Sequence, residues 1–334
     1  MKENIYLPIF VFLFVFQSFL WAQTRFEYNY EQMGTQIGLV FYDKDHKNAD
    51  FLAKLVFKRI DELNRIFSNY LIDSEINRLS ETPYENVKVS KDLFRLLFIS
   101  SVYSQKTFGS FDVTLGPLIE LWKKAKSNKK IPLKSEIHFA LGKTGHGHME
   151  FPAVDMIKLN KEGMQLDVGG IGKGFVADEI IALLANHGVR IALVDMGGDI
   201  TVGDPPPNKE YWTLGFSFFN ENGEEVFNKL KLRNQAVATS GDLYQYELLD
   251  GKRYSHIIDP KSGMALSNNI QVTVIAPTGT MADAYASGIS VLDMVEGEKV
   301  VRETPALEVY IIMDMPSAYK QWNSKGFLDY ILEE

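Results

Sequence analysis

The stretch LDVGGIGKGFVADEI, Leu166 to Ile180, sets glycines at 169, 170, 172 and 174 and a single lysine, Lys173, between an apolar strand-like run and an amphipathic helix-like run. A chain built this way makes a tight strand-to-helix turn. Glycine lets backbone N–H and C=O groups approach a ligand, and the helix start that follows favours anions. The familiar phosphate loops do not fit. Counting back from Gly172-Lys173, a Walker A loop would meet Asp167 where its first glycine belongs and Gly174 where its hydroxyl belongs. Gly170, Gly172 and Gly174 give G-x-G-x-G in place of the dinucleotide pattern G-x-G-x-x-G, a spacing that leaves the third glycine off the helix. On these residues alone, a plain tight turn and a phosphate cradle both stay open.

A chain of 334 residues with 46% hydrophobic content can bury a large core, and suits one big domain or two intimately packed lobes. Its 43 acidic residues against 35 Lys and Arg leave a net charge of −8, which argues against a nucleic-acid surface. The one basic cluster, KKAKSNKK at Lys123 to Lys130, reads as a solvated helix end and loop. The absence of cysteine excludes disulfides, thiolate metal sites, thiol nucleophiles and a lipid-acceptor cysteine.

Residues 1–22 read as a signal peptide. Lys2 precedes the apolar run IYLPIFVFLFVFQSFLWA, and the polar QTRFEYNYEQ follows. Cleavage after Ala22 would leave residues 23–334 as the mature domain; retention of the apolar run as a membrane anchor is the alternative. Either way the expected location is outside the cytoplasm, periplasmic.

Along residues 23–334 helix-like and strand-like segments alternate. FLAKLVFKRIDELNRIF places Phe51, Leu55, Leu63 and Phe67 at near-helical spacing, with Asn48 as N-cap. A second helix is expected after Ser90, carrying Leu93, Phe94, Leu97 and Phe98, and a third over PLIELWKKAK with Pro117 in its first turn. IALVDMGG, YWTLGFSF, QYELLDGKRYSHII and IQVTVIAP read as strands, with Asp250-Gly251 as a hairpin turn. Few strands precede a crossover helix, so the expected class is α+β: a mixed, antiparallel-rich sheet with flanking helices.

Three further stretches carry chemistry. In MADAYASG, Asp283 and Ser287 lie four residues apart and share a helix face, as hard oxygen donors of the kind Mg²⁺ accepts. YSHIIDPKSGMAL places His256 and Asp259 near a strand end, with Pro260 and Gly263 in a rigid turn. SFDVTLGPL sets Phe111 and Asp112 where a ring and a carboxylate could meet a planar heterocycle. Each has a bland counterpart: a helix surface pair, a structural histidine, a core phenylalanine.

Taken in order, the motifs MGT (from Met33), FSNYLIDSEINRLS (from Phe67), FDVTLGPL, LDVGGIGKG, VDMGGDI, ATSGDLYQYELLDGKRYSHIIDPKSG and VTVIAPTGTMADAYASG closely resemble the FAD:protein FMN transferase family, the ApbE-type flavin transferases. The resemblance implies an exported enzyme that takes FAD, cleaves its pyrophosphate with the help of Mg²⁺, and attaches FMN to a Thr or Ser hydroxyl of a target protein, releasing AMP. The implied acceptors are membrane-associated redox proteins. Carried over by position, Met33, Tyr70, Ser110, Phe111, Asp112, Asp167, Lys173 and His256 would contact FAD. Gly170 would offer a backbone carbonyl to the metal, alongside Asp283 and Ser287, and His256 would be the general base. The chain departs from the family pattern with Ser287 for a threonine, Gly172 for an alanine, and no lipid-acceptor cysteine. Two other readings stay open: a metal-dependent FAD pyrophosphatase giving FMN and AMP, and a non-catalytic exported flavin-binding protein.

Overall fold

A computed structural model describes residues 23–222, 224–241, 246–315 and 318–332. The expected signal segment, residues 1–22, lies outside the described residues. Among the described residues, no helix is long and apolar enough to cross a membrane.

Helices occupy α1 (His46–Phe67), α2 (Glu75–Ser80), α3 (Lys91–Lys106), α4 (Gly116–Asn128), α5 (Lys134–Leu141), α6 (Gly172–Asn186), α7 (Gly279–Ser290) and α8 (Met294–Arg302). The strands of the first half are β1 (Thr24–Gln32), β2 (Thr35–Asp43), β3 (Val87–Lys88), β4 (Met149–Ala153), β5 (Met156–Leu159), β6 (Ala192–Asp195) and β7 (Ile200–Val202). The second half adds β8 (Trp212–Phe219), β9 (Glu225–Leu232), β10 (Gln235–Gly241), β11 (Tyr246–Leu249), β12 (Lys252–Ser255), β13 (Asn269–Ala276), β14 (Glu308–Met315) and β15 (Ala318–Asn323).

One eight-stranded sheet organises the molecule in the order β1-β2-β6-β7-β10-β13-β14-β15, and every neighbouring pair in it is antiparallel. The expected α+β class is what the chain adopts. Strand periodicity explains the layers, because successive side chains point to opposite faces. In β13, Ile270, Val272, Val274 and Ala276 face a core shared with Ala282, Tyr285 and Ile289 of α7 and with Val300 of α8. Ile275 faces the other way, onto Trp212, Leu214 and Phe216 of the β8–β9 hairpin. Both faces are thus covered, which is why IQVTVIA is apolar nearly throughout. A third core joins Leu39 and Phe41 of β2 to α1, α3 and α6.

The structure shifts the expected helix details. Asp45, not Asn48, caps α1 by accepting from the Lys47 N–H, while Asn48 donates to Asp43. The buried stripe of α1 runs through Ala49, Leu52, Val56, Ile60, Leu63 and Phe67, and Phe51 is exposed. The 52/56/60/63/67 series keeps one face over about four turns, whereas a stripe begun at Phe51 drifts off it. In α3, Ser90 caps as expected and Leu93 and Leu97 are buried, but Phe98 is exposed and stacks on Phe94. Pro117 sits in the first turn of α4, and Asp250-Gly251 makes the β11–β12 turn with both residues at positive φ.

A satellite core closes one end of the molecule. Leu118 and Trp122 of α4 and Ile137 of α5 pack against Leu249, Tyr254 and Ile258. The Trp122 indole N–H donates to the Gly263 carbonyl at 2.9 Å, tying α4 to the turn that follows His256. Gly263 has φ 70°, and a Cβ there would lie 2.8 Å from Ile137.

Candidate active site

The glycine-rich stretch is not a strand entering a helix. Leu166 to Val168 belong to no strand, the Asp167 N–H donates to the Val113 carbonyl, Gly169 and Gly170 form a turn, and α6 begins at Gly172. Gly174 therefore lies on the helix, contrary to the spacing argument. The need for glycine there is steric: a Cβ would sit 2.0 Å from the Gly279 carbonyl oxygen, so the backbones of α6 and α7 touch. No side chain of α6's own N-cap residue, Ile171, caps it. Asp283 of α7 takes the Gly174 N–H instead, at 3.1 Å.

This contact brings the expected metal donors together. Asp283 is 5% exposed, and Ser287 stands one turn further along α7. A Cβ on Gly170 would fall 2.7 Å from Ser287 Oγ, so the Gly170 backbone lies directly against that hydroxyl. Burial, together with the nearby Asp199, pushes Asp283 up to about 7, against the opposing pull of Lys173 and the Gly174 N–H. A carboxylate so placed lacks a full counter-charge, and a divalent cation would supply it. Carboxylate, hydroxyl and backbone carbonyl are hard oxygens that leave coordination positions for water and substrate, so the set fits Mg²⁺. Among the described residues no group of three or more His, Cys, Asp or Glu side chains is arranged to hold a metal. The candidate donor set therefore holds one carboxylate beside neutral oxygens.

Around these donors opens a cavity of about 740 Å³. Tyr70, Ser110, Phe111, Asp112, Asp167, Gly170, Lys173, His256, Asp283 and Ser287 all line it. Met33 is not among the lining residues. It turns β1 into β2 at φ 55°, and its side chain packs against the α1–α6 core beside Gly172.

Several of the lining side chains are already engaged. One oxygen of Asp112 accepts from the Thr114 N–H and hydroxyl, and the other from the His146 N–H at 3.0 Å. Asp167 accepts from the Gly169 N–H at 2.8 Å and from Asn69, which anchors the loop that carries Tyr70. The Ser110 hydroxyl donates to the Thr107 carbonyl and is buried. Tyr70 is exposed at the rim, with the Lys123 ammonium 4.5 Å from its ring centre, so one lysine of the basic cluster stands at the cavity mouth. His256 is exposed just after β12. Asp259 builds the turn beyond it, accepting from the Lys261 and Ser262 N–H groups and the Ser262 hydroxyl.

Sequence reasoning missed Asp199. It lines the cavity, is 6% exposed, and pairs with Lys173. Burial by itself would lower Lys173, but Asp199, Asp283 and Asp195 outweigh it and hold the ammonium above its ordinary value. Lys173 is thus a firmly charged donor that shares its charge with a buried partner. The signal was in VDMGGDI. Gly197 and Gly198 have φ 77° and 101°, and a Cβ on Gly197 would lie 2.1 Å from the Thr35 hydroxyl of MGT. Only glycine lets that turn close and deliver the next residue, Asp199, into the cavity.

A cavity with hard oxygen donors on one wall and an ammonium–carboxylate pair on another is the kind of pocket that phosphate chemistry uses. Residues 33–311 match the model of the ApbE family, and the chain belongs to that family. It is 28% identical over 316 residues to an FAD:protein FMN transferase of Klebsiella pneumoniae (strain 342), covering 90% of this chain and 88% of that one. A protein of the same name from Treponema pallidum (strain Nichols) is 29% identical over 273 residues, covering 77% of this chain and 75% of that one. Among solved structures, the flavin transferase ApbE from Vibrio cholerae superposes with a TM-score of 0.84 at 25% identity, over 92% of this chain and all of that one. The ApbE protein of Thermotoga maritima gives 0.81 at 28% identity, over 93% and 100%.

Proposed function

We infer that this chain is an FAD:protein FMN transferase that joins FMN to a Thr or Ser hydroxyl of an acceptor protein and releases AMP. The observation that carries the reading is the convergence of the Gly170 backbone, Asp283 and Ser287 on one wall of a cavity that also holds the Lys173–Asp199 pair and has His256 at its rim. Full-length relatives with this printed activity support it.

In the reaction the acceptor hydroxyl oxygen bonds to the phosphorus on the FMN side of the pyrophosphate. The bridging P–O bond breaks, and AMP leaves with the bridging oxygen. His256 takes the hydroxyl proton, since imidazole is the side chain whose ordinary pKa lies nearest neutrality. Lys173, kept charged by its acidic neighbours, faces the phosphates. Gly170, Asp283 and Ser287 would hold Mg²⁺, which when bound neutralises charge on the non-bridging oxygens. Phe111 and Tyr70 offer aromatic surface for the flavin or adenine ring. Asp112 and Asp167 act chiefly by fixing the loops around the ligand, through the bonds described above.

Residues 1–22 serve as an export signal, cleaved or kept as an anchor, so that the domain works in the periplasm on membrane-associated redox proteins. Residues 23–334 expressed alone are therefore expected to be soluble, to bind FAD, and to yield AMP when Mg²⁺ and an acceptor are present, with yield lost on chelation. The check is size-exclusion chromatography followed by chromatographic quantitation of AMP. Failure of residues 23–334 to fold would contradict the export assignment, and AMP release undiminished by EDTA would contradict the metal assignment.

A further inference from the structure

The donors Asp283 and Ser287 sit on α7, whereas Gly170 and Lys173 belong to the turn and first residues of α6. Their alignment depends on how two helix starts are held against each other. Asp178 of α6 reaches across to α7. Its Oδ1 accepts from the Gly279 N–H at 2.7 Å, and its Oδ2 accepts from the Thr280 N–H at 2.9 Å and the Thr280 hydroxyl at 2.5 Å. In return, Asp283 of α7 accepts from the Gly174 N–H in the first turn of α6. Each helix thus places a carboxylate on the free N–H groups at the start of the other, where unpaired donors and the helix dipole both favour an anion. No slack is left between the two: a Cβ on Gly279 would lie 2.7 Å from the Gly174 carbonyl oxygen and 2.5 Å from Thr201 Oγ1.

We propose that Asp178 is a positioning residue for the metal-holding wall: by locking the start of α7 to α6 it sets the distance of Asp283 and Ser287 from the Gly170 backbone. Asp178 is not among the residues that line the cavity. The proposal rests on the Mg²⁺ reading given above. An Asp178→Asn amide can accept from one neighbour but must turn its NH₂ toward another N–H, so the two helix starts separate. Outer residues that orient metal ligands typically change metal affinity by about 10–100-fold when altered.

The test compares the full chain with Asp178→Asn and with Thr278→Ala. The latter removes α7's own N-cap, the Thr278 side chain that accepts from the Met281 N–H, and does not involve α6. Melting is followed as Mg²⁺ alone is added, and the Mg²⁺ concentration for half-maximal FMN transfer is measured alongside. Wild type and Thr278→Ala are expected to respond at the same Mg²⁺ concentration, with Asp178→Asn needing about 10–100-fold more and recovering most of its kcat at saturation. If Asp178→Asn does not fold, Thr280→Val, which removes only the hydroxyl arm, should shift the Mg²⁺ half-point in the same direction by less. An unchanged half-point in a folded Asp178→Asn, or in Thr280→Val where Asp178→Asn does not fold, overturns the proposal, as does an equal shift in Thr278→Ala. A wild-type protein that does not respond to Mg²⁺ at all overturns the metal reading itself, and this proposal with it.

Discussion

Asp283→Ala is expected to abolish FMN transfer, by at least about 10³-fold, with the fold intact. The carboxylate is the one formal charge among the proposed metal donors. Without it Ser287 and the Gly170 carbonyl hold a divalent ion weakly, and the pyrophosphate meets its attacker with its charge unscreened. The fold should survive because two effects oppose each other. The Gly174 N–H loses its acceptor, at a cost of about 1–3 kcal/mol, but a carboxylate that burial has already pushed up to about 7 is removed along with its desolvation penalty. A melting curve close to wild type together with a single-turnover transfer assay checks both halves. Turnover unchanged in a folded Asp283→Ala would sink the metal assignment.

The second large effect separates binding from chemistry at His256. His256→Asn should retain most of the FAD affinity, because Lys173, proposed to face the phosphates, and the aromatic Phe111 and Tyr70 remain, while transfer at saturating FAD falls by about 10²–10⁴-fold. His256 lines the cavity and is exposed, which suits a side chain that must meet a hydroxyl arriving from another protein. FAD titration of the variant beside single-turnover kinetics decides the role. Weakened binding with a normal saturated rate would make His256 a binding residue.

What could be read in advance was what depends on local pattern. The apolar run of β13 and the Asp250-Gly251 turn announced themselves, because strand periodicity and hairpin turns are set by a few adjacent residues. Asp283 and Ser287 could be paired because the helical repeat alone puts them on one face. What escaped depends on partners distant in the chain. Asp199 is a site residue only because Gly197 packs against Thr35, more than 160 positions earlier in the sequence. Gly174 looked like part of a phosphate loop, yet its missing side chain makes room for the Gly279 carbonyl. Asp112 offered a carboxylate for a heterocycle, and the fold spends both its oxygens on backbone and hydroxyl donors. Local spacing likewise favoured Asn48 as the cap of α1, but the chain enters the helix one turn earlier, at Asp45.

FMN transfer requires that the phosphoryl group parted from AMP go to a protein hydroxyl and not to water. The most direct measurement is to co-express the full chain with an exported redox protein bearing a candidate flavinylation threonine, then record in-gel flavin fluorescence and intact mass, and to count AMP against bound flavin with the purified pair. The predicted result is one FMN attached through the threonine for each AMP released, with both lost in Asp283→Ala. AMP accompanied by an equal amount of free FMN, with no mass gained by the acceptor, would contradict it and make the chain an FAD pyrophosphatase.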